Sequence, residues 1–241
     1  MTAAGRLGAW PPGAGMVEFR LWAPDISQVA PVLGGAALPM LRQADGLHWI
    51  RTKAAQGDRY RFRLPDGSEV PDPASRWQPE GVEGASVVLV EDAYAWQTRD
   101  WGGVAWPDMV IYEEHVEAAG GFAALTAQLP TLAATGITAI ELMPVAQFPG
   151  ARNWGYDGVF PYAPAQAYGG PEALKRFVDA AHAAGLAVLL DVVYNHFGPQ
   201  GNHLARYAKD FFHRGRSTPW GEAIGFEQPH VPRYCIANPL R

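Results

Sequence analysis

Residues 186–196 read LAVLLDVVYNH. Leu186 to Leu190 is an apolar run, and Asp191, Asn195 and His196 follow it into FGPQGNHL, which is polar and glycine-containing. A short apolar stretch bounded by turn signals reads as a buried strand. The polar residues then stand where that strand emerges into a loop. Taken singly, each fits a side chain that caps the loop.

Working outward, two more apolar strands precede this one. ITAIELMPV (137–145) is β-branched enough for a buried strand, and VIYEEHV (110–116) is a shorter candidate. Between them Phe122, Leu125, Leu129 and Leu132 fall at helical spacing. Pro130 should kink or restart that helix, and Gly136 closes it. A second helix should run from Pro171 to Gly185, with Leu174, Phe177, Val178 and Ala181 on one face. Residues 146–170 read as a long loop. The order β-α-β-α-β with near-continuous apolar strands is the pattern of a parallel sheet in an α/β fold. Sites in such folds gather at the C-terminal ends of the strands.

The first part of the chain has a different rhythm. In VEFRLWAP, Val17, Phe19 and Leu21 alternate with Glu18 and Arg20; in RYRFRL, Tyr60, Phe62 and Leu64 alternate with arginines. This is the period of half-buried strands. LHWIRTK (47–53) is a further strand, Pro65-Asp66-Gly67 a turn, and PDPASRWQPEG (71–81) an extended loop. We therefore expect a flexible tail over 1–15, a small antiparallel β-sandwich of immunoglobulin-like type over 16–95, and an incomplete barrel over 96–241.

Composition bounds the function. The 241 residues are 48% hydrophobic and 18% charged, with net charge −5, so disorder, nucleic acid and anionic membrane surfaces are not expected. One cysteine, Cys235, cannot form an internal disulfide, and no stretch reads as a leader or a membrane span; a cytoplasmic protein is expected. No cofactor motif or metal-ligand spacing is visible. Nine Trp, nine Tyr and ten Phe are compatible with a sugar ligand. The loop NWGYDGVFPYAPAQAYGG concentrates Trp154, Tyr156, Phe160, Tyr162 and Tyr168 with Asn153 and Asp157. It can be an anchor of packed rings or a sugar-binding rim. His115 and His182 are expected to be structural, Cys235 inert, and Glu141 an internally paired carboxylate.

These motifs carry a resemblance. ELMPV, NWGYDG and DVVYNH, with VEFRLWAP and PDPASRWQPEG upstream, are similar to the α-amylase family of glycoside hydrolases. Within it they most resemble the maltooligosyltrehalose trehalohydrolases, with glycogen branching enzymes as near relatives that more often carry W-G-Y-Q. Asp157 discriminates between the two. The resemblance implies a β-sandwich followed by a (β/α)₈ TIM barrel acting on an α-glucan such as maltooligosyltrehalose. It implies that Trp154, Tyr156, Asp157 and His196 contact sugar, that Asp191 supports an arginine, and that Asn195 shapes its loop. Calcium is not implied, because no companion ligands accompany Asn195.

The family cleaves with an Asp nucleophile and a Glu acid/base roughly 5–5.5 Å apart. In the family these lie on later barrel strands, with the nucleophile in a motif like G-F-R-x-D that is not found here. A full barrel takes about 250 residues, and about three βα units fit after residue 96. The expectation is that no catalytic carboxylate precedes Arg241, and that the chain alone is inactive. A complementing C-terminal polypeptide, a branching-enzyme fragment and a non-catalytic glycan-binding protein are the alternatives. Relatives also carry a longer loop after the first barrel strand than HVEAAGG, and an apolar residue where Glu114 stands.

Overall fold

The structure is a computed structural model of the 241-residue chain, described over residues 6–90 and 94–238. Two antiparallel sheets come first. One has the order β1-β2-β6-β5, from β1 (Gly8–Gly13), β2 (Met16–Trp22), β5 (Leu41–Arg42) and β6 (Leu47–Lys53). The other has the order β4-β3-β7-β8, from β3 (Ala30–Leu33), β4 (Ala36–Ala37), β7 (Arg59–Arg63) and β8 (Glu69–Val70), with β9 (Ser86–Val87) also on β7. Their inner faces meet in one core. Val17, Phe19 and Leu21 of β2 are buried with Tyr60 and Phe62 of β7, and the Phe19 and Tyr60 rings stand edge-on at 4.9 Å.

The expected tail over 1–15 is corrected from residue 6 onward; residues 1–5 lie outside the described ones. Gly8 to Gly13 form an edge strand on β2, with Ala9 opposite Phe19. Two cations hold the strand: Arg6 lies 3.7 Å and Arg76 5.4 Å from the Trp10 ring. The prolines at 11 and 12 are tolerated because β1 is an edge.

The segment 71–81 has no helix or strand, as expected, but it is far from loose. Asp72, Ser75, Arg76 and Gln78 are buried in it. Tyr60 donates its hydroxyl to Asp72 Oδ2 at 2.6 Å, Ala74 N donates to Oδ1 at 2.8 Å, and Arg76 reaches the Ala9 carbonyl at 2.6 Å. Burial raises the Asp72 carboxyl to about 6.

A three-stranded parallel sheet follows, in the order β10-β11-β14: β10 (Ile111–Glu114), β11 (Ala139–Leu142) and β14 (Ala187–Leu190). Helices α1 (Phe122–Ala134) and α2 (Gly170–Ala183) connect the strands and cover one face. Ile140 and Leu142 turn towards Phe122, Leu125 and Leu129 of α1 and Phe177 and Ala181 of α2. Three expectations change here. Helix α1 runs through Pro130 without a break; the ring is exposed, and Thr126, four residues before it, hydrogen-bonds back to Phe122 O at 2.7 Å. Only β11 is well buried. Ile111, Tyr112 and Leu190 on the outer strands are 39%, 41% and 49% exposed, because each of those strands has a neighbour on one side only. Glu141 has no internal partner among the described residues: the parallel register sets Glu113, a like charge, beside it.

The stretch 146–170 is also more ordered than a loop. Strands β12 (Ala146–Gln147) and β13 (Phe160–Pro164) pair within it. After β14 come a hairpin, β15 (Phe212–Thr218) with β16 (Gly221–Ile224), and helix α3 (His230–Ala237). This C-terminal part packs on the two-sheet body. Phe197, Tyr207, Phe211 and Tyr234 share the core of Trp22 and Phe62. At the surface Arg206 pairs with Asp66 at 2.8 Å, and Asp25 Oδ2 accepts Lys209 N at 2.7 Å.

The connection from the sheets into β10 is fastened to α2. Asp179 accepts Gln97 N at 2.9 Å, Thr98 N at 2.8 Å and the Tyr94 hydroxyl at 3.2 Å, which holds its carboxyl below the usual range. Trp101 stacks on His182 at 4.6 Å, as a structural histidine should. Hydrogen bonds to a charged group are worth about 1.5–3 kcal/mol each. We expect Asp179→Ala to lower unfolding stability by about 2–3 kcal/mol. Hydrogen exchange at Gln97 and Thr98 should quicken selectively; unchanged protection there would refute the clamp.

Candidate sugar-binding site

The C-terminal ends of the parallel strands carry the residues singled out in the sequence. The loop after β11 delivers Asn153-Trp154-Gly155-Tyr156-Asp157, and the loop after β14 delivers Asp191, Asn195 and His196. The first loop is shaped by Gly155 and Asn153. Gly155 has φ +102°, and a Cβ there would lie 2.7 Å from Pro144 Cδ. Asn153 Oδ1 accepts Gly155 N at 3.0 Å, the side-chain turn that asparagine favours.

The second loop is laced to the first. His196 is 2% exposed. Its Nε2 lies 2.8 Å from the Tyr156 carbonyl and its Nδ1 lies 2.9 Å from Asn195 Oδ1. Gly198 N donates to Gly158 O at 3.0 Å. A Cβ on Gly198 would stand 2.3 Å from the Asp157 carbonyl oxygen, so only glycine permits the approach. Ile224 N closes the third side on Asn195 O at 3.1 Å, bringing the hairpin over the site.

That hairpin supplies a residue the sequence reading missed. Trp220 sits at the tip, where Thr218 Oγ1 accepts its amide at 3.2 Å. Its ring stacks on His196 (5.1 Å, 19°) and lies 6.0 Å from the Tyr156 ring. Trp220 is 42% exposed and Tyr156 38%. A Thr-Pro-Trp-Gly turn between two strand-like stretches was the available signal.

The five rings of the aromatic loop divide between the two readings. Phe160, Tyr162 and Tyr168 are buried anchors, and Trp154 and Tyr156 are bare. Tyr162 donates to Tyr234 O at 2.5 Å and so ties β13 to α3. Burial pushes the Tyr168 hydroxyl to about 12, and it donates to Asn153 O at 3.3 Å. The structure joins Tyr156, Asn195 and His196 directly. Trp154 and Asp157 instead line an open cleft with His115, while Asp191 lines a small cavity of about 50 Å³ with Gly155 and Tyr194. Among the described residues no hydrogen bond joins Asp157 to Asp191, and no group of three or more His, Cys, Asp or Glu gathers that could hold a metal ion.

An antiparallel sheet pair thus leads into a parallel βα sheet with polar and aromatic loops at its strand ends. The chain belongs to the α-amylase family: the alpha amylase catalytic domain matches residues 65–222. It is 43% identical to the malto-oligosyltrehalose trehalohydrolase of Deinococcus radiodurans, over 97% of this chain and 39% of that one. It is 30% identical to a 1,4-alpha-glucan branching enzyme of Pseudoalteromonas atlantica, over 92% of this chain and 35% of that one. Among solved structures, a candidate alpha amylase from Salmonella typhimurium is similar with TM-score 0.94 and 47% identity, over 97% of this chain and 41% of that one. The chain thus spans about two fifths of the length of these proteins.

Proposed function

We propose that this chain is the N-terminal part of a glycoside hydrolase that releases trehalose from maltooligosyltrehalose by cutting an α-1,4-glucosidic bond. In this reading the paired sheets are a β-sandwich module and β10–α1–β11–α2–β14 opens a (β/α)₈ TIM barrel. The observation that carries it is the stack of Trp220 on His196 beside Tyr156, held by the hydrogen bond from His196 to the loop of Tyr156. Half-exposed rings offer faces to a pyranose, and the buried imidazole fixes their spacing. Asp157, where branching enzymes more often carry Gln, favours the trehalohydrolase reading over the branching-enzyme one.

The family resemblance assigns the nucleophile, the acid/base and the stabilising carboxylate to later strands. Retaining hydrolysis needs two carboxyl groups across one bond. The chain alone is therefore expected to bind α-glucan without cleaving it, and a C-terminal polypeptide carrying the later strands is expected to restore turnover. Trehalose release from maltooligosyltrehalose by the purified chain, abolished in Asp191→Asn, would sink this assignment. Electrophoresis through soluble starch tests binding. Aromatic contacts are worth about 0.5–1.5 kcal/mol, so Trp220→Ala is expected to weaken retardation up to about tenfold. Migration identical with and without starch for the unchanged chain would refute the glucan reading.

A further inference from the structure

Beyond Leu190 the chain leaves the parallel sheet. Asp191 N still donates to Leu142 O at 2.9 Å, but among the described residues no backbone hydrogen bond holds Val192, Val193 or Tyr194. Those residues lead directly into Asn195 and His196. Ordering such a stretch costs conformational entropy that strand pairing does not offset, so side chains must fix its place.

The tie comes from the end of α3. Asn238 follows the last residue of that helix, and its amide bridges two other segments. Its Oδ1 accepts the Tyr194 hydroxyl at 2.5 Å, and its Nδ2 donates to the Pro161 carbonyl on β13 at 2.7 Å. A carbonyl only accepts, so the amide nitrogen faces Pro161, the oxygen faces Tyr194, and Tyr194 is the donor. Burial pushes the Tyr194 hydroxyl up to about 12, so it keeps that proton through the neutral range. One amide thus joins α3, β13 and the segment after β14. Asn238, Tyr194 and Pro161 also line the small cavity that Asp191 and Gly155 share. That void gives the segment room to shift once the tie is cut. A neighbouring bond separates support of the helix from support of the segment. One turn earlier on α3, Tyr234 O accepts the Tyr162 hydroxyl at 2.5 Å. It docks α3 on β13 as well, but does not reach residues 191–196.

We propose that Asn238 is a positioning residue of the candidate sugar site: acting through Tyr194, it sets where His196 stands, and with it the Tyr156 and Trp220 rings. The proposal rests on the α-glucan reading above. Asn238 touches no sugar. Tyr194 is two residues before His196, whose Nε2 meets the Tyr156 carbonyl and whose ring carries the Trp220 stack.

The test uses the 241-residue chain, with maltoheptaose as probe in calorimetric titration and the His196 ring-proton NMR signals as a second readout. The Trp220 ring lies 5.1 Å from the His196 ring, so its ring current marks the stack. Tyr194→Phe removes one bond and keeps the ring; Asn238→Leu removes both bonds. Tyr162→Phe is the control, since it weakens only the docking of α3. We expect Tyr194→Phe and Asn238→Leu each to weaken binding about fivefold and to move the His196 signals. The double variant should bind within about twofold of Asn238→Leu, because the two changes cut one path. Tyr162→Phe should lower the melting temperature, yet bind within about twofold of the unchanged chain with the His196 signals in place. Equal losses of binding in Tyr162→Phe and Asn238→Leu would overturn the role, because any loosening of α3 would then suffice. Losses that multiply in the double variant would overturn the path through Tyr194. Should Asn238→Leu fail to fold, an unchanged constant and unmoved signals in Tyr194→Phe overturn the proposal. No binding by the unchanged chain overturns the glucan reading alone. The His196 signals of Tyr194→Phe then decide the positioning role, which stands if they move and falls if they do not.

Discussion

Replacing Gly198 by alanine is expected to lower stability by about 2–3 kcal/mol, at the upper end of what overpacking costs. The added Cβ would lie 2.3 Å from the Asp157 carbonyl oxygen and 2.8 Å from its carbonyl carbon. Both are backbone atoms, so no side chain can swing aside. The loop 153–158 must move as a piece. It cannot move freely, because the Tyr156 carbonyl is held by His196, and Asn153 by His115 and Tyr168. The substitution therefore sets a steric demand against at least three hydrogen bonds. Urea unfolding measures the loss. Because the displaced loop carries Trp154 and Tyr156, retardation in starch should fall with it. A Gly198→Ala protein with unchanged stability and retardation would show that the two loops are not in contact as described.

The second large effect is a pH dependence centred on Asp72. Its carboxyl is fully buried, and desolvation raises it from 3.8 to about 6 despite the Tyr60, Ala74 and Arg76 interactions that act the other way. The sign follows directly. A carboxyl raised on folding binds its proton more tightly in the folded state. Its contribution is complete below the unfolded value near 4 and is lost as pH rises through about 6. At 1.36 kcal/mol per unit, the loss between pH 4 and pH 7.5 is about 3 kcal/mol. His48, His182 and His230 act in the opposite sense, since burial lowers all three and their contribution grows as pH rises towards 6.5. The measurement is therefore a difference: unfolding free energy against pH for the unchanged chain minus that for Asp72→Asn. The difference should fall by about 3 kcal/mol across that window. A flat difference would mean that Asp72 is solvated.

Much of the architecture could be read from periodicity. Val17, Phe19 and Leu21, and Tyr60, Phe62 and Leu64, alternate and are buried as alternation demands. The stripe Phe122, Leu125, Leu129 buries against the parallel sheet in the same way, although Leu132 at its end is only partly covered. What periodicity cannot register is long-range polarity. Asp72 and Arg76 sit in a segment that reads as extended loop, and they are buried because Tyr60, Ser86 and Ala9 arrive from elsewhere in the chain. Glu141 was expected to be paired, and register set Glu113 beside it instead. At the candidate site, motif resemblance pointed to Tyr156 and His196, which the structure brings together. It did not reveal that both ring nitrogens of His196 are engaged inside the protein, nor that Trp220, from a hairpin 24 residues further on, covers that ring. His115 was read as a strand residue. It lies one position past β10, where it can reach a loop instead of a core.

The shared core has a consequence for how the protein is made. Tyr234 donates its hydroxyl to the Pro73 carbonyl, a bond spanning 161 residues, and Phe211 and Tyr234 complete the core that Trp22, Phe19 and Phe62 begin. Translation at about 5–20 residues per second separates the two halves of that core by roughly 10–30 s. For that interval the nascent sheets carry an apolar face whose cover has not yet left the ribosome. Long-range contacts of this kind slow folding and prolong the exposure of strand edges. Yield from cells should thus respond to elongation rate and to chaperones that shield nascent chains, more than to anything in the loops that follow β11 and β14.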